Sequence, residues 1–207
     1  FFSATMEHEI MAFASRYQKD PEYIKVVHKE LTVPKVDQAY FELKQNMKTE
    51  ILSRLIDMYN PRLTIVFCNT KKKVDELTGE LQSRGYFADS LHGDLKQSQR
   101  DTVMNKFRKG TIDILVATDV AARGLDVDDI DLVINYDMPQ DEEYYVHRIG
   151  RTARAGREGK AFSFVAGRDI YKLKDVQKYT KTKIERRDLP TLKDIEARYT
   201  TIMLDKI

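Results

Sequence analysis

Residues 63–117 read LTIVFCNTKKKVDELTGELQSRGYFADSLHGDLKQSQRDTVMNKFRKGTIDILVA. Two periodicities take turns along this stretch. Residues 63–68 form a short apolar run, the pattern of a strand buried on both faces. Residues 71–84 read as a helix that Gly85 stops. Residues 88–91 make a short strand, 96–107 a second helix, and 113–117 another buried strand. Strands separated by helices of this length imply a parallel sheet with helices on both of its faces. Right-handed crossovers then make an α/β, doubly wound domain.

The same alternation extends in both directions. Upstream, residues 38–43 alternate as a strand, and 48–59 form an amphipathic helix with Ile51, Leu52, Leu55, Ile56 and Tyr59 on one side. Downstream come strands at 131–136 and 160–166 and a helix at 169–179. Residues 6–17 are helix-like, with Ile10, Met11, Phe13 and Ala14 on an apolar side. Asp20-Pro21 ends that helix, and 23–27 reads as a short strand. Residues 29–36, with Pro34, read as a connector. At the other end Leu189-Pro190 breaks the pattern, and Thr191 can cap a last helix running to about residue 205. On that helix Ile195, Tyr199, Ile202 and Met203 share a face. The expected organisation is therefore 1–28, a connector at 29–36, the α/β domain at 37–188, and a helical extension at 189–207.

Composition narrows the classes of function. With 207 residues, 42% hydrophobic and 33% charged, the chain can build a packed core. Its net charge is only +2, so any nucleic-acid binding must come from local patches. The single Cys68 excludes an internal disulfide and fits a reducing, cytoplasmic setting. No apolar run approaches the length of a membrane span, and the start carries no secretory signal. His8, His28 and His92 have no metal-ligand spacing with Cys68, so no metal is assigned.

In an open parallel sheet, ligands bind outside the carboxyl ends of the strands. That rule gathers Asn69-Thr70, His92-Gly93-Asp94 and Thr118-Asp119 on one rim. Thr70 is a good N-cap, yet Lys71, Lys72 and Lys73 fill the first turn behind it, against the helix dipole. Either an anion lies nearby or three lysines sit in water. Asp94 with Gln97 resembles a capping box, whose helix N-terminus can hold a phosphate. Arg100 lies about one and a half turns further on, within reach of the same ligand.

Beyond the rim, Arg148, Arg151, Arg154 and Arg157 recur every third residue, and Gly150, Ala153 and Gly156 precede the last three. Asp141, Glu142 and Glu143 open the helix, which should fray near Ala155-Gly156. Guanidinium groups beside glycines can approach phosphate closely. The plainer reading is a solvated basic face paired with those acids.

HRIGRTARAGR (residues 147–157) resembles motif VI of the DEAD-box RNA helicases, and ATDVAARGLDV (117–127) resembles motif V. LHGDLKQSQRDTVMNKFR (91–108) is similar to motif IVa, IVFCNT (65–70) to motif IV, and Ser3-Ala4-Thr5 to motif III. One departure is Ala153, where the family usually has Gly; within a helix a methyl there should be tolerated.

The resemblance implies the second, C-terminal RecA-like domain of such a helicase, with 1–28 as the end of its first domain. It implies that Asn69, Thr70, Gly93, Gln97, Arg100, Thr118 and Gly124 grip an RNA backbone. It further implies that Asp126 binds the ATP ribose, that Arg151 and Arg154 approach the γ-phosphate, and that His147 links motif VI to the first domain. The chain has no phosphate-cradling G-x-x-x-x-G-K-[ST] loop and no Asp-Glu-Ala-Asp box. We therefore read it as a fragment holding half of a composite ATP site. The first RecA-like domain of the same parent chain would hold Mg2+, and the fragment alone should not hydrolyse ATP. Several bacterial members continue into a helical dimerisation element after a similar Leu-Pro step, which implies a homodimer through the extension unless that helix packs back on its own domain or frays. Two other readings stand beside this one: a standalone RNA-binding or scaffold module, and a related superfamily-two DNA helicase.

Overall fold

Ile65 and Phe67 belong to one buried apolar cluster, while Val66 and Cys68 belong to another. This is the side-chain alternation of a strand with a core on each face. It is seen in a computed structural model that describes residues 8–19, 36–122, 127, 130–153 and 158–204. The chain divides into two compact units, Phe1–Thr32 and Val33–Ile207. In the first, helix α1 spans His8–Tyr17, with the Phe13 and Tyr17 rings 4.6 Å apart. The strand expected at 23–27 and the connector up to residue 35 lie outside the described residues.

The second unit holds a seven-stranded sheet in which every pairing is parallel. In chain order the elements are β1 (Val36–Glu42), α2 (Lys48–Tyr59), β2 (Thr64–Phe67), α3 (Lys71–Ser83), β3 (Ala88–Leu91), α4 (Gln97–Arg108) and β4 (Ile114–Ala117). Then follow α5 (Asp119–Ala122), β5 (Leu132–Asn135), α6 (Glu142–Ile149), β6 (Gly159–Val165), α7 (Asp169–Thr180), β7 (Glu185–Arg186) and α8 (Leu192–Leu204). Across the sheet the order is β3-β4-β2-β5-β6-β1-β7. Residues of α2 and α3 share one apolar cluster, and residues of α4, α6 and α7 share the other. The sheet is thus doubly wound, as the alternation of periods required.

Beside a 3-10 turn at Gln45–Met47, two short elements escape the sequence pattern. Helix α5 is a single turn. Strand β7 is a two-residue edge that joins β1 at Ala39 and Tyr40. Neither is long enough to show a period.

The end of α6 also differs from expectation. The helix stops at Ile149 with Gly150 as its C-cap, well before residue 155. Thr152 is drawn instead into a parallel bridge with Ile130, and its hydroxyl donates to the Ile130 carbonyl. A tertiary hydrogen bond outcompetes helix continuation there.

The tail helix has a place on the domain. Helix α8 packs against α2, and Ile195 is buried. Thr191 and Asp194 close its N-terminus reciprocally: Thr191 N donates to Asp194 Oδ2 (2.7 Å), and Asp194 N donates to Thr191 Oγ1 (3.3 Å). The Thr191 hydroxyl, which also donates to Asp194 Oδ2 (2.7 Å), and then the Thr191 N–H hold the Asp194 carboxyl below its usual range. Arg54 adds a bond from Nη1 to the Pro190 carbonyl, 3.0 Å long. Among the described residues no helix is long and apolar enough to cross a membrane.

Candidate functional site

All strands of a parallel sheet end on the same side, so the segments after β2, β3, β4 and β5 form one rim. Asn69 and Thr70 follow β2, His92 to Asp94 follow β3, Thr118 and Asp119 follow β4, and Tyr136 to Met138 follow β5. Thr70 takes the cap role expected of it, its hydroxyl accepting from Lys73 N at 3.2 Å. The lysines behind it meet carboxylates of the chain itself. Lys71 pairs with Asp94, and Lys72 and Lys73 approach Glu76 at 3.8 and 3.5 Å. The Lys71 bond holds the Asp94 carboxyl below the ordinary range.

The next helix opens two residues later than the expected box. Its N-cap is Lys96, whose N–H donates to Gln99 Oε1 at 2.9 Å. Asp94 is committed to Lys71, and Gln97 instead donates along the helix to Asp101 Oδ1 at 2.8 Å. Arg100 turns toward the neighbouring rim segment and donates to the Ala121 carbonyl at 3.1 Å. It thereby ties α4 to α5. His92 is buried beside them. Its Nε2 lies 3.0 Å from Asp75 Oδ1, and its Nδ1 accepts from Asp94 N at 3.4 Å.

Gly93 is exposed and its φ is not in the left-handed region. A Cβ there would touch only Lys71 Cε, at 3.9 Å. Neither the turn nor the packing requires glycine at this position. Its bareness leaves room on the rim for a ligand to approach the backbone.

The centre of the rim is a buried ionic network around Arg148. This first arginine of the ladder is 1% exposed and not part of a solvated face. It donates from Nε to Asp119 Oδ1 (2.6 Å) and from Nη2 to Asp119 Oδ2 (2.7 Å). Nη2 also donates to Asn69 Oδ1 (3.0 Å), and Nη1 to the Asp137 carbonyl (2.6 Å) and Asn135 Oδ1 (3.3 Å). The guanidinium lies 5.1 Å from the Phe67 ring centre. Asp137 extends the network: its carboxylate accepts from buried Lys48 Nζ (3.0 Å) and from Asn69 N (3.1 Å). Asn69 Nδ2 donates to the Met138 carbonyl (2.9 Å), so both polar groups of that side chain are engaged inside the domain. Beside Lys48, burial pushes the Tyr136 phenol up to about 12, against a bond between its hydroxyl and Thr49 Oγ1 (3.0 Å).

Helix α6 carries the next group. Asp141 caps it by accepting from Tyr144 N at 3.0 Å, and Glu142 and Glu143 suit its dipole. His147 is exposed in its last turn, edge-on to the Tyr144 ring at 6.4 Å. Arg151 is half-buried just past its end. Two residues on, Ala153 adopts φ +56°, a conformation costly for any residue with a Cβ. The methyl is therefore not carried within a helix, as expected, but on a left-handed residue. Gly124, Asp126 and Arg154 lie outside the described residues.

The model of the helicase conserved C-terminal domain matches residues 47–156, which contain every rim segment above. This chain belongs to that family. As a helicase C-terminal domain it is 47% identical over 206 residues to the DEAD-box ATP-dependent RNA helicase CshA of Bacillus cereus, covering 100% of this chain and 39% of that protein. To CshA of Geobacillus kaustophilus the identity is 49%, covering 100% of this chain and 44% of that one. Among solved structures, Saccharomyces cerevisiae Dbp5 bound to RNA and ADP BeF3 superposes with a TM-score of 0.80 at 32% identity, over 98% of this chain and 54% of Dbp5. The helicase C-terminal domain thus spans about two fifths of the curated relatives' length. Those relatives are ATP-dependent RNA helicases, enzymes that use and hydrolyse ATP.

Sequence reasoning missed the inward half of this helicase domain. The sequence pattern groups Arg148 with Arg151, Arg154 and Arg157, and it assigns Asp119, Asp137 and Lys48 no role. One signal was available. Arg148 directly precedes Ile149, a core residue at 0% exposure, on a helix whose opposite face carries His147.

Proposed function

We propose that this chain supplies the second RecA-like half of an ATP-dependent RNA helicase. A single RNA backbone would cross the rim at Thr70, Gly93, Gln97, Arg100 and Thr118, with Gly124 beside them. Asn69, whose side chain is occupied, would contribute through the loop it orders. The carrying observation is that one rim gathers the segments after β2, β3 and β4, and that Gly93 is bare there without internal cause. Backbone gripping of this kind binds RNA with little regard to sequence.

On the α6 side, ATP would lie between this domain and the first RecA-like domain of a parent chain, which would hold Mg2+. Arg151 stands in the turn that follows a helix held fixed by Arg148, and a cation on a rigid mount fits a polyphosphate. Arg151 and Arg154 would stabilise charge on the transferred phosphoryl group, Asp126 would hold the ribose, and His147 would face the first domain. ATP, when bound, supplies the phosphoryl group that water accepts. The cytoplasm remains the proposed setting.

The test joins this chain to a DEAD-box first domain and measures ATP turnover with and without single-stranded RNA. RNA-stimulated turnover is expected from the assembly and none from the chain alone. Arg154→Ala should lower the rate by roughly 10³-fold or more. Turnover by the pure chain, or near-normal turnover by the variant, would refute the reading. For the extension, a homodimer has a narrower surface than the sequence suggested. Ile195 is buried on a helix that packs against α2, while Leu192 stays 62% exposed. A sedimentation weight that stays monomeric at high concentration removes the dimer.

A further inference from the structure

We propose that Arg148 is a positioning residue that couples RNA binding to nucleotide binding by bolting the RNA-side loops to α6, the helix that carries His147 and leads into the turn bearing Arg151. The inference rests on the function proposed above.

A guanidinium has five N–H donors. In Arg148 each finds an acceptor: two on Asp119, one on Asn69, one on Asn135 and one on the Asp137 backbone. With its donors spent and 1% of its surface exposed, Arg148 cannot serve as a phosphate ligand like the arginines that follow it. What it does touch is distributed in a telling way. Asn69 adjoins Thr70 after β2, Asp119 adjoins Thr118 after β4, and Asp137 follows β5. Arg148 itself sits on α6, between exposed His147 and Ile149, with Arg151 just beyond.

The mechanical consequence follows from burial. A charged hydrogen bond in a low-dielectric site is costly to stretch, because the groups released have no water to turn to. A shift of the Asn69-Thr70 or Thr118-Asp119 segment on gripping RNA must carry the guanidinium with it or break those bonds. The guanidinium is planar and its donors form a fixed fork, so the shift passes to α6. Lys48 and Asn69 N fix the Asp137 carboxylate on the far side, which keeps that loop from absorbing the movement. Coupling between sites requires such a contiguous, stiff network.

The test uses the two-domain assembly described above. The affinity of a non-hydrolysable ATP analogue is measured with and without saturating single-stranded RNA, and the ratio is the coupling factor. Linkage makes that factor reciprocal, so RNA affinity with and without analogue must give the same value. Asp119→Asn keeps shape and one acceptor but removes the charge that holds the fork. Arg148→Lys keeps the charge but removes the fork. Each is expected to lower the coupling factor by about tenfold, toward one. A purely structural role would lower the melting temperature and both affinities together, leaving the factor intact. A folded variant with a factor within about twofold of wild type therefore overturns the proposal. If Asp119→Asn does not fold at the assay temperature, Asp119→Glu is read by the same criterion, since it keeps the charge and displaces the carboxylate by one methylene. A wild-type factor of one, with no RNA-stimulated turnover, sinks the functional reading and this inference with it. Stimulated wild-type turnover with intact coupling in the variants sinks this inference alone.

Discussion

The Arg148 guanidinium holds the Asp119 carboxylate through two bonds, 2.6 Å from Nε and 2.7 Å from Nη2, where Arg148 is 1% exposed. A buried pair of this kind is often no better than a well-packed apolar pair, yet removing one partner leaves the other charge stranded. Arg148→Ala strands Asp119, the Asn69 side-chain carbonyl and the Asp137 carbonyl together. The expected loss is about 3–5 kcal/mol of unfolding free energy. Urea denaturation of the chain measures it, and a loss under roughly 1 kcal/mol would show that water replaces the guanidinium freely.

Gly159 opens β6 directly beneath the turn that follows α6. A Cβ there would stand 2.6 Å from Ala153 N and 2.8 Å from Thr152 Cγ2. Backbone at that distance cannot swing aside as a flexible side chain could. Gly159→Ala should cost about 1–3 kcal/mol, at the upper end of overpacking. The Thr152–Ile130 bridge is the first casualty, and amide exchange at residues 130 and 152 should accelerate. Unchanged protection at both amides would contradict this account.

Ala153 tests the same turn from the other side. Its φ of +56° costs roughly 1–2 kcal/mol for a residue with a Cβ, and glycine adopts it without that strain. Glycine also loses more chain entropy on folding, so the net gain from Ala153→Gly should be about 0.5–1 kcal/mol. That corresponds to a rise in melting temperature of roughly 1–4 °C for a domain of this size. Ala153→Val should move it down by at least as much. A fall with glycine would mean that the turn is not strained at this residue.

Most of the fold is readable in the sequence, and positions such as Arg148 and Ala153 mark where that legibility ends. The strands and helices announced themselves through periodicity, because most strands are buried on both faces and each helix has one apolar side. The rim followed from topology alone, since parallel strands end together. The capping of α4 was misplaced by two residues because Asp94, a good cap by type, is drawn off to Lys71 by a contact between separate loops. Arg148 was misjudged because charge is normally an outward signal, and its partners Asp119, Asn69 and Asp137 are remote in sequence. The left-handed turn at Ala153 was invisible for the opposite reason, since alanine announces a helix and only the Thr152 bridge overrules it.

Asp113 gives a pH-dependent prediction. Burial raises its carboxyl above the ordinary range, and its Oδ1 is buried without a hydrogen-bond partner. A folded-state value above the unfolded one means that the fold favours the neutral acid. The charge therefore costs stability above the folded value, and the cost disappears as pH falls below the unfolded value. Asp113→Asn should raise the melting temperature at pH 7 to 8 by roughly 1 °C, a modest amount because the side chain is partly solvated. The gap between variant and wild type should close on acidification through the carboxylate range. A gap that widens in acid would reverse the sign of the argument.

Gly93 separates folding from ligand binding more cleanly than any other rim residue. Its φ is ordinary, and an added Cβ would make only one van der Waals contact, 3.9 Å to Lys71 Cε. Gly93→Ala should therefore leave stability unchanged or raise it by a few tenths of a kcal/mol, because alanine restricts the unfolded chain. If an RNA phosphate approaches this backbone, the methyl stands in its way. Single-stranded RNA should then bind the two-domain assembly about tenfold more weakly, to the same degree for every sequence of one length. The two measurements answer different questions. A loss of stability would show that the loop after β3 needs glycine for its own sake. Full RNA affinity in a stable variant would remove Gly93 from the groove and move the RNA path toward Thr70 and Thr118.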